Sequence, residues 1–227
     1  MSVTLSSVVP WGRTMSEYRL MFDLSEQQLD ASILGCGDGP ASFNSEMTAL
    51  GRRVISVDPI YSLSREQIEQ RIGETYDTII SQCKANLDNY IWSLFSDPDA
   101  LGRHRLGAMR GFLDDFETGL AEGRYLHQEL PHLGFNDKQF DLALCSHLLF
   151  LYTEQLSLDF HAEAILEMCR VAREVRVFPL LDLKVRPSEH VQPVISRLEQ
   201  AGHAVEIVKV PYEFQRGGDE MIKVVSK

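Results

Sequence analysis

The stretch ASILGCGDGPASF, residues 31–43, decides how this chain is read. Gly35, Gly37 and Gly39 alternate with Cys36 and Asp38, after the apolar pair Ile33 and Leu34. A short apolar run that meets glycines predicts a buried strand ending in a tight turn. Pro40 then fits the first turn of a helix, where a missing N–H is harmless. That helix carries Phe43, Met47 and Leu50 at spacings of four and three, and Gly51 ends it. A second strand, RVISVD (53–58), follows and closes on Asp58.

Working outward, residues 14–28 read as one lead-in helix with Met21, Phe22 and Leu24 on its apolar side. Residues 59–123 show no strand. Ile68, Ile72, Ile79, Cys83, Leu87, Ile91 and Leu94 recur at helical spacing, and Met109, Phe112, Leu113, Phe116 and Leu120 form a second series. This is more helix than one crossover needs, so a helical cap insertion is expected, with Pro98 and Gly102 as the hinge between its helices and Gly107 and Gly111 adding looseness. RYLHQ (124–128) is a third strand. FDLALCSHLLFL (140–151) is a strand buried on both faces at its start. A helix through Leu158, Ala162, Ile165, Cys169 and Ala172 leads to the strand EVRVFPLLDL (174–183), in which Pro179 signals a bulge or an early end. SEHVQPVISRLEQAG (188–202) is a helix with a capping-box pattern at its start. HAVEIVKVPYEF and EMIKVVSK then make a hairpin, with Gly217 and Gly218 in its turn.

Strands alternating with helices predict an α/β fold: a doubly wound, mostly parallel seven-stranded sheet with helices on both faces and a C-terminal antiparallel hairpin. The expectation is a single domain over 1–227, with 59–123 inserted as a cap. Ligands of such sheets lie outside the carboxyl ends of the strands.

Composition narrows the function classes. The 227 residues carry a net charge of −11. A nucleic-acid binder needs a basic surface for phosphate contacts. The one dense basic run, GRHRLGAMR with Arg103, Arg105 and Arg110, is followed by Asp114, Asp115 and Glu117 and reads as a solvated mixed-charge helix face. Neither a nucleic-acid partner nor a membrane is expected. The start of the chain, MSVTLSSVVPWGRTMSEYRL, lacks the pattern of a signal peptide. Cys36, Cys83, Cys145 and Cys169 form no CxxC pair and read as reduced thiols in a cytoplasmic protein. His127, His132, His161 and His203 are too dispersed for a metal site, and none is expected.

A glycine loop between a strand and a helix start holds a ligand against backbone N–H groups. Dinucleotides and S-adenosylmethionine both use one. The loop reads G-x-G-x-x-P, so Pro40 replaces the third small residue of the dinucleotide fingerprint. Asp58 ends the next strand 19 residues after Gly39, where a carboxylate reaches ribose hydroxyls, which both ligands carry.

ILGCGDGP, VISVDPIY, ELPHLGFNDKQFDLALCSHLLFLY and the final hairpin together resemble the class I S-adenosylmethionine-dependent methyltransferases. The resemblance spans 31–58 and 124–227 and omits the insertion. It implies that Gly35, Cys36, Gly37 and Gly39 hold the methionine part of S-adenosyl-L-methionine. It also implies that Asp58, with Pro59, meets the ribose, that Glu129 and Leu130 flank the adenine, and that Ser146 sits at the cofactor edge. Ile33 stands where the family usually has an acidic residue, and the Glu-Leu pair is bulkier than the usual Asp-Ala.

Methyl transfer needs in-line placement, exclusion of water, and a base only if the acceptor must lose a proton. His147 follows the fourth strand at its carboxyl edge and is the candidate catalytic residue; packing on the cofactor is the alternative. Tyr152 and Asp182 are read as structural or acceptor-binding, and Cys145 as an inert core thiol. Arg13, ahead of the first strand, can reach the cofactor's carboxylate or simply face solvent. A cofactor-sensing module without turnover and a nicotinamide-dependent oxidoreductase remain the other readings. From Ser64 to Gly123 six basic residues face eleven acids. So acidic a cap suggests a small, neutral-to-cationic acceptor.

Overall fold

The computed structural model describes residues 8–227, so the first seven residues of the signal-peptide reading lie outside the described residues. Seven strands form one sheet in the order β3-β2-β1-β4-β5-β7-β6. They are β1 (Ile33–Cys36), β2 (Val54–Val57), β3 (Tyr125–Leu126), β4 (Phe140–Ser146), β5 (Ala172–Phe178), β6 (Ala204–Lys209) and β7 (Glu220–Val225). β1 pairs in parallel with β2 on one side and β4 on the other, while β7 runs antiparallel between β5 and β6. The sheet is therefore mostly parallel with one antiparallel hairpin at its end, as the sequence predicts. The strand order reverses beside β1, which places the switch-point crevice at the glycine loop.

Seven α-helices surround the sheet: α1 (Met15–Met21), α2 (Glu26–Leu29), α3 (Phe43–Ala49), α4 (Arg65–Ala85), α5 (Pro98–Ala121), α6 (Leu158–Val171) and α7 (Val191–Gln200). One face of the sheet packs Leu34, Ala143, Val175 and Val177 against Ile165 and Met168 of α6 and Val194 and Leu198 of α7. The other packs Ile33, Val54, Leu142 and Leu144 against Tyr18, Met21 and Phe22 of the lead-in and Phe43 and Met47 of α3. This two-sided burial explains why β4 reads as an apolar run.

The details depart from the sequence reading in several places. The lead-in is two short helices, each closed by a capping box, from Thr14 with Glu17 and from Ser25 with Gln28. β4 ends at Ser146, because His147 enters the left-handed region (φ 56°). β5 ends at Phe178, directly before Pro179. α7 has no side-chain cap; His190 occupies its N-cap position. The connection from β6 to β7 is a ten-residue loop, longer than a tight hairpin turn. Within it Ile91 N–H donates to Phe214 O (2.8 Å), and Arg216 N–H donates to Asn89 O (2.9 Å). The expected hinge at Pro98 and Gly102 is also corrected. Pro98 is the first residue of α5, which continues unbroken past Gly102, Gly107 and Gly111, and Gly102 is buried against Tyr76 of α4.

Arg105 is the largest correction. It is not on a solvated face but 1% exposed. Its guanidinium donates to Glu17 Oε2 and, at 3.4 Å, to the Tyr212 hydroxyl. Arg103 and Arg110 are exposed, as expected. No helix among the described residues is long and apolar enough to cross a membrane.

Candidate functional site

A cavity of about 540 Å³ opens at the carboxyl ends of β1, β2 and β4. The three glycines beside it do different work. A Cβ on Gly35 would lie 1.8 Å from Asp38 Oδ2, so this glycine makes room for a carboxylate of its own loop. Gly37 adopts φ 68° and passes so close to Leu148 that a Cβ would fall 2.6 Å from Cδ2. Gly39 lines the cavity, and its N–H donates to Asp58 Oδ2 at 2.8 Å. Gly35→Ala should therefore expel the Asp38 side chain. We expect a stability loss of about 1–3 kcal/mol, as for other overpacked sites, read as a lowered midpoint in urea.

Asp38 is buried, and accepts from the Tyr18 hydroxyl (2.8 Å) and the Ser56 hydroxyl (2.6 Å). Burial raises its pKa to about 6, against the pull of those two bonds. Tyr18 is fixed by stacking on Phe43 at 4.3 Å. Asp58 closes β2 and accepts from Ile60 N–H and Gly39 N–H, both at 2.8 Å. Burial lifts its pKa too, and the two backbone bonds oppose the lift. Each Asp58 oxygen thus makes one backbone bond and keeps one lone pair for a ligand hydroxyl.

Arg13 reaches the cavity from the chain ahead of α1. Its carbonyl accepts from Ser42 N–H at 3.0 Å, which ties this segment to the start of α3. One terminal nitrogen donates to Trp11 O (2.9 Å), whereas the buried Nε has no partner. The nearby carboxylate, Glu17, is engaged by other donors. Its Oε2 takes Arg105, His104 and Thr14 N–H, and its Oε1 takes the Tyr212 hydroxyl (3.0 Å). Burial would raise the Glu17 pKa, but Arg105, the His104 bond and Arg13 hold it well below the usual carboxylate range. Burial and the neighbouring Arg105 bring Arg13 down to about 10, so it stays charged at neutral pH.

His147 sits half-buried at the cavity wall, its backbone N–H donating to Phe178 O at 2.7 Å. Its Nδ1 lies 2.9 Å from Ser146 Oγ. Ser146 Oγ also lies 3.8 Å from Met21 Sδ, and either Ser146 Oγ or His147 Nδ1 can be the donor in the bond between them. Desolvation, Arg13 and Arg105 push the His147 pKa well below 6.5. The imidazole is therefore neutral at pH 7.

Of the residues singled out in the sequence, Arg13, Gly37, Gly39, Asp58, Pro59, Glu129, Leu130, Ser146 and His147 all line this one cavity. Gly35 and Cys36 do not; the Cys36 side chain packs in the core, where burial raises its pKa well above normal. Cys145 is likewise a core thiol, pushed up to about 12 by burial. Tyr152 lines the cavity and accepts from Val9 N–H at 3.2 Å. Asp182 serves its own turn, accepting from Lys184 N–H, Arg186 N–H and the Arg186 side chain. Sequence reasoning missed Asp38, Gln128, Tyr90 and Phe214, which also line the cavity. Asp38 lies within the glycine loop and was legible there; Phe214 comes from a loop distant in sequence and carried no local signal. Among the described residues, no cluster of His, Cys, Asp and Glu is placed to hold a metal ion.

No family model matches the chain. The uncharacterized protein MJ0045 of Methanocaldococcus jannaschii is 30% identical over 221 residues, covering 97% of each chain. Among solved structures, magnesium protoporphyrin IX methyltransferase (ChlM) from Synechocystis PCC 6803 with bound SAM is similar at a TM-score of 0.47 and 13% identity, over 93% of this chain and 76% of that one. A putative S-adenosyl-L-methionine-dependent methyltransferase (mmp1179) from Methanococcus maripaludis is similar at 0.47 and 11% identity, over 94% and 83%. Likenesses that distant carry no weight for function, and the fold rests on the strand order itself. The chain belongs to one family with MJ0045, and it is built on the class I S-adenosylmethionine-dependent methyltransferase fold.

Proposed function

We propose that this cavity binds S-adenosylmethionine and that the chain transfers its methyl group to a small-molecule acceptor. The observation that carries the reading is Arg13: a charged guanidinium at the wall of the cavity that Asp58 also lines, bonded within the protein to Trp11 O and, among the described residues, in no ion pair. A half-buried cation without an ion pair favours an anionic ligand. The α-carboxylate of S-adenosylmethionine fits that need, and Asp58 supplies acceptors for its ribose diol. Gly37 and Gly39 lie between, Gln128, Glu129 and Leu130 border the adenine, and Pro59 and Ser146 complete the walls. Gly35 and Cys36 contribute through the loop's shape, Gly35 by admitting the Asp38 carboxylate. The chain acts as a single domain in the cytoplasm, and residues 59–123 serve as its cap over the acceptor.

When bound, S-adenosylmethionine supplies a sulfonium-activated methyl group that passes to an acceptor lone pair while sulfur keeps the bonding electrons. The protein's part is to place and to shield. Arg13 and Asp58 fix the two ends of the ligand and so orient the methyl. Helices α4 and α5 exclude water. The neutral His147 imidazole, in the tautomer whose Nδ1–H donates to Ser146, takes the acceptor's proton on Nε2 where there is one to lose. Because its pKa lies well below 6.5, turnover should stay flat between about pH 6 and 8 and fall only in more acidic solution. His147→Ala should lower kcat much more than it weakens cofactor binding. A limb centred near neutrality, or equal changes in both parameters, would remove the base assignment.

The reading is tested by thermal denaturation with S-adenosylmethionine or NAD at equal concentration. Ligand at about 100 times Kd adds about 2.7 kcal/mol, or roughly 5–10 °C in Tm for a chain of this size. We expect that shift with S-adenosylmethionine alone. A shift with NAD alone would move the assignment to a nicotinamide enzyme. Transfer of a labelled methyl group into a metabolite extract then separates an enzyme from a sensor.

A further inference from the structure

The cavity has a second chamber, whose chemistry differs from the end lined by Asp38 and Asp58. Ile79 and Cys83 of α4, Leu101 of α5, Trp11, Tyr90 and Phe214 line it. None carries a charge. Tyr90 and Phe214 are stacked, with centroids 4.8 Å apart and planes 20° from parallel. The Tyr90 hydroxyl and the Cys83 thiol hydrogen-bond to each other.

The eleven acids of residues 64–123 do not reach this chamber. None lines the cavity; ten are exposed, and the other, Asp115, is half-buried in an ion pair with Arg124. Of the neutral-to-cationic acceptor expected from cap acidity, the cationic end thus loses its basis, because the charge faces solvent. The one cation of α4 at the cavity, Arg71, precedes Ile79 by eight residues, about 12 Å along the helix axis. It lies toward the Asp58 end, on the helix half that follows Leu63.

Resting on the methyltransferase reading above, we propose that the acceptor is a neutral small molecule with an aromatic body, seated in this chamber between α4, α5 and the loop holding Phe214. An ammonium or carboxylate group brought here would lose its hydration against six uncharged side chains, which costs several kcal/mol; the nearby cations are engaged elsewhere, Arg13 with Trp11 O and the cofactor, Arg105 with Glu17. A ring gains apolar burial and offset or edge contacts with Tyr90 and Phe214. Small-molecule sites are commonly of this kind, apolar walls with few polar groups.

The test uses three probes of similar apolar body: para-propylphenol, phenylbutylammonium and phenylbutanoate, at pH 7 and with S-adenosylhomocysteine present. The chain has two tryptophans, Trp11 in the chamber wall and Trp92 packed on Phe214 at 5.5 Å, so intrinsic emission reports on this region. We expect the phenol to change the emission and to bind at least tenfold more tightly than either ion. Leu101→Asp should abolish the phenol's binding, and the milder Ile79→Ala should weaken it several-fold, both with S-adenosylhomocysteine affinity kept in calorimetry. Equal or tighter binding of an ion, no binding of the phenol, or unchanged phenol affinity in both variants would overturn the proposal. Failure of S-adenosylhomocysteine to bind would instead sink the cofactor reading, and the probes alone would still decide the chamber's preference.

Discussion

Replacing Arg105 with methionine should cost about 3–5 kcal/mol of stability, the usual penalty for leaving one member of a buried ion pair uncompensated. Arg105 and Glu17 are both buried, and the Tyr212 hydroxyl bonds to each. The pair joins α1 to α5 and to the loop after β6. The same change should reach the ligand. With Arg105 gone, Arg13 is the strongest remaining cation near Glu17 and becomes its counter-charge, so S-adenosylmethionine should bind at least tenfold more weakly although Arg105 does not line the cavity. Adding Glu17→Gln to Arg105→Met should recover part of both losses, because the stranded charge is removed. Urea unfolding and calorimetry measure the two effects. A stability change below about 1 kcal/mol in the single variant would mean that the pair is not buried in solution.

Asp58→Ala should weaken S-adenosylmethionine binding tenfold or more. A carboxylate accepting from two hydroxyls makes charge-assisted bonds worth about 1.5–3 kcal/mol each, and tenfold requires only about 1.4 kcal/mol. The variant also frees Gly39 N–H and Ile60 N–H, so Asp58→Asn, which keeps one acceptor oxygen, should show a smaller loss with less disturbance to the loop. The pH dependence has a defined sign. Burial raises the Asp58 pKa, and a bound diol donates more strongly to the ionised form, so ligand binding favours release of a proton. Affinity should fall as pH drops through that raised value, rise with pH above it, and level off once the carboxylate is fully ionised. Unchanged affinity in both variants, or affinity that increases on acidification, would remove Asp58 from the site.

The mostly parallel sheet was legible because each piece of evidence for it is local. The apolar run before the glycines, the acid ending β2 and the doubly buried β4 each follow from burial on a parallel sheet. What the chain hides are contacts between distant segments. Arg105 looks like one member of a mixed-charge helix face, since nothing near it in sequence shows that Glu17 and Tyr212 will enclose it. Gly35 looks like a residue that admits a ligand, yet its missing side chain is filled by Asp38 three residues on. The glycines of α5 look like hinge points, yet Gly102 is a packing site against Tyr76. The acids of residues 64–123 extend the expected acceptor from neutral to cationic only while their direction is unknown. Arg13 could be named from its place ahead of β1, but its unpartnered Nε required the whole of the Glu17 cluster to be seen.

The central claim is that Arg13 and Asp58 hold the two ends of S-adenosylmethionine. The most direct measurement is a crystal structure of the protein with S-adenosylhomocysteine. The account predicts its carboxylate within hydrogen-bonding distance of the Arg13 guanidinium, and both ribose hydroxyls donating to Asp58. A ligand bound in the reverse direction, or lying outside the cavity between the glycine loop and His147, would contradict it.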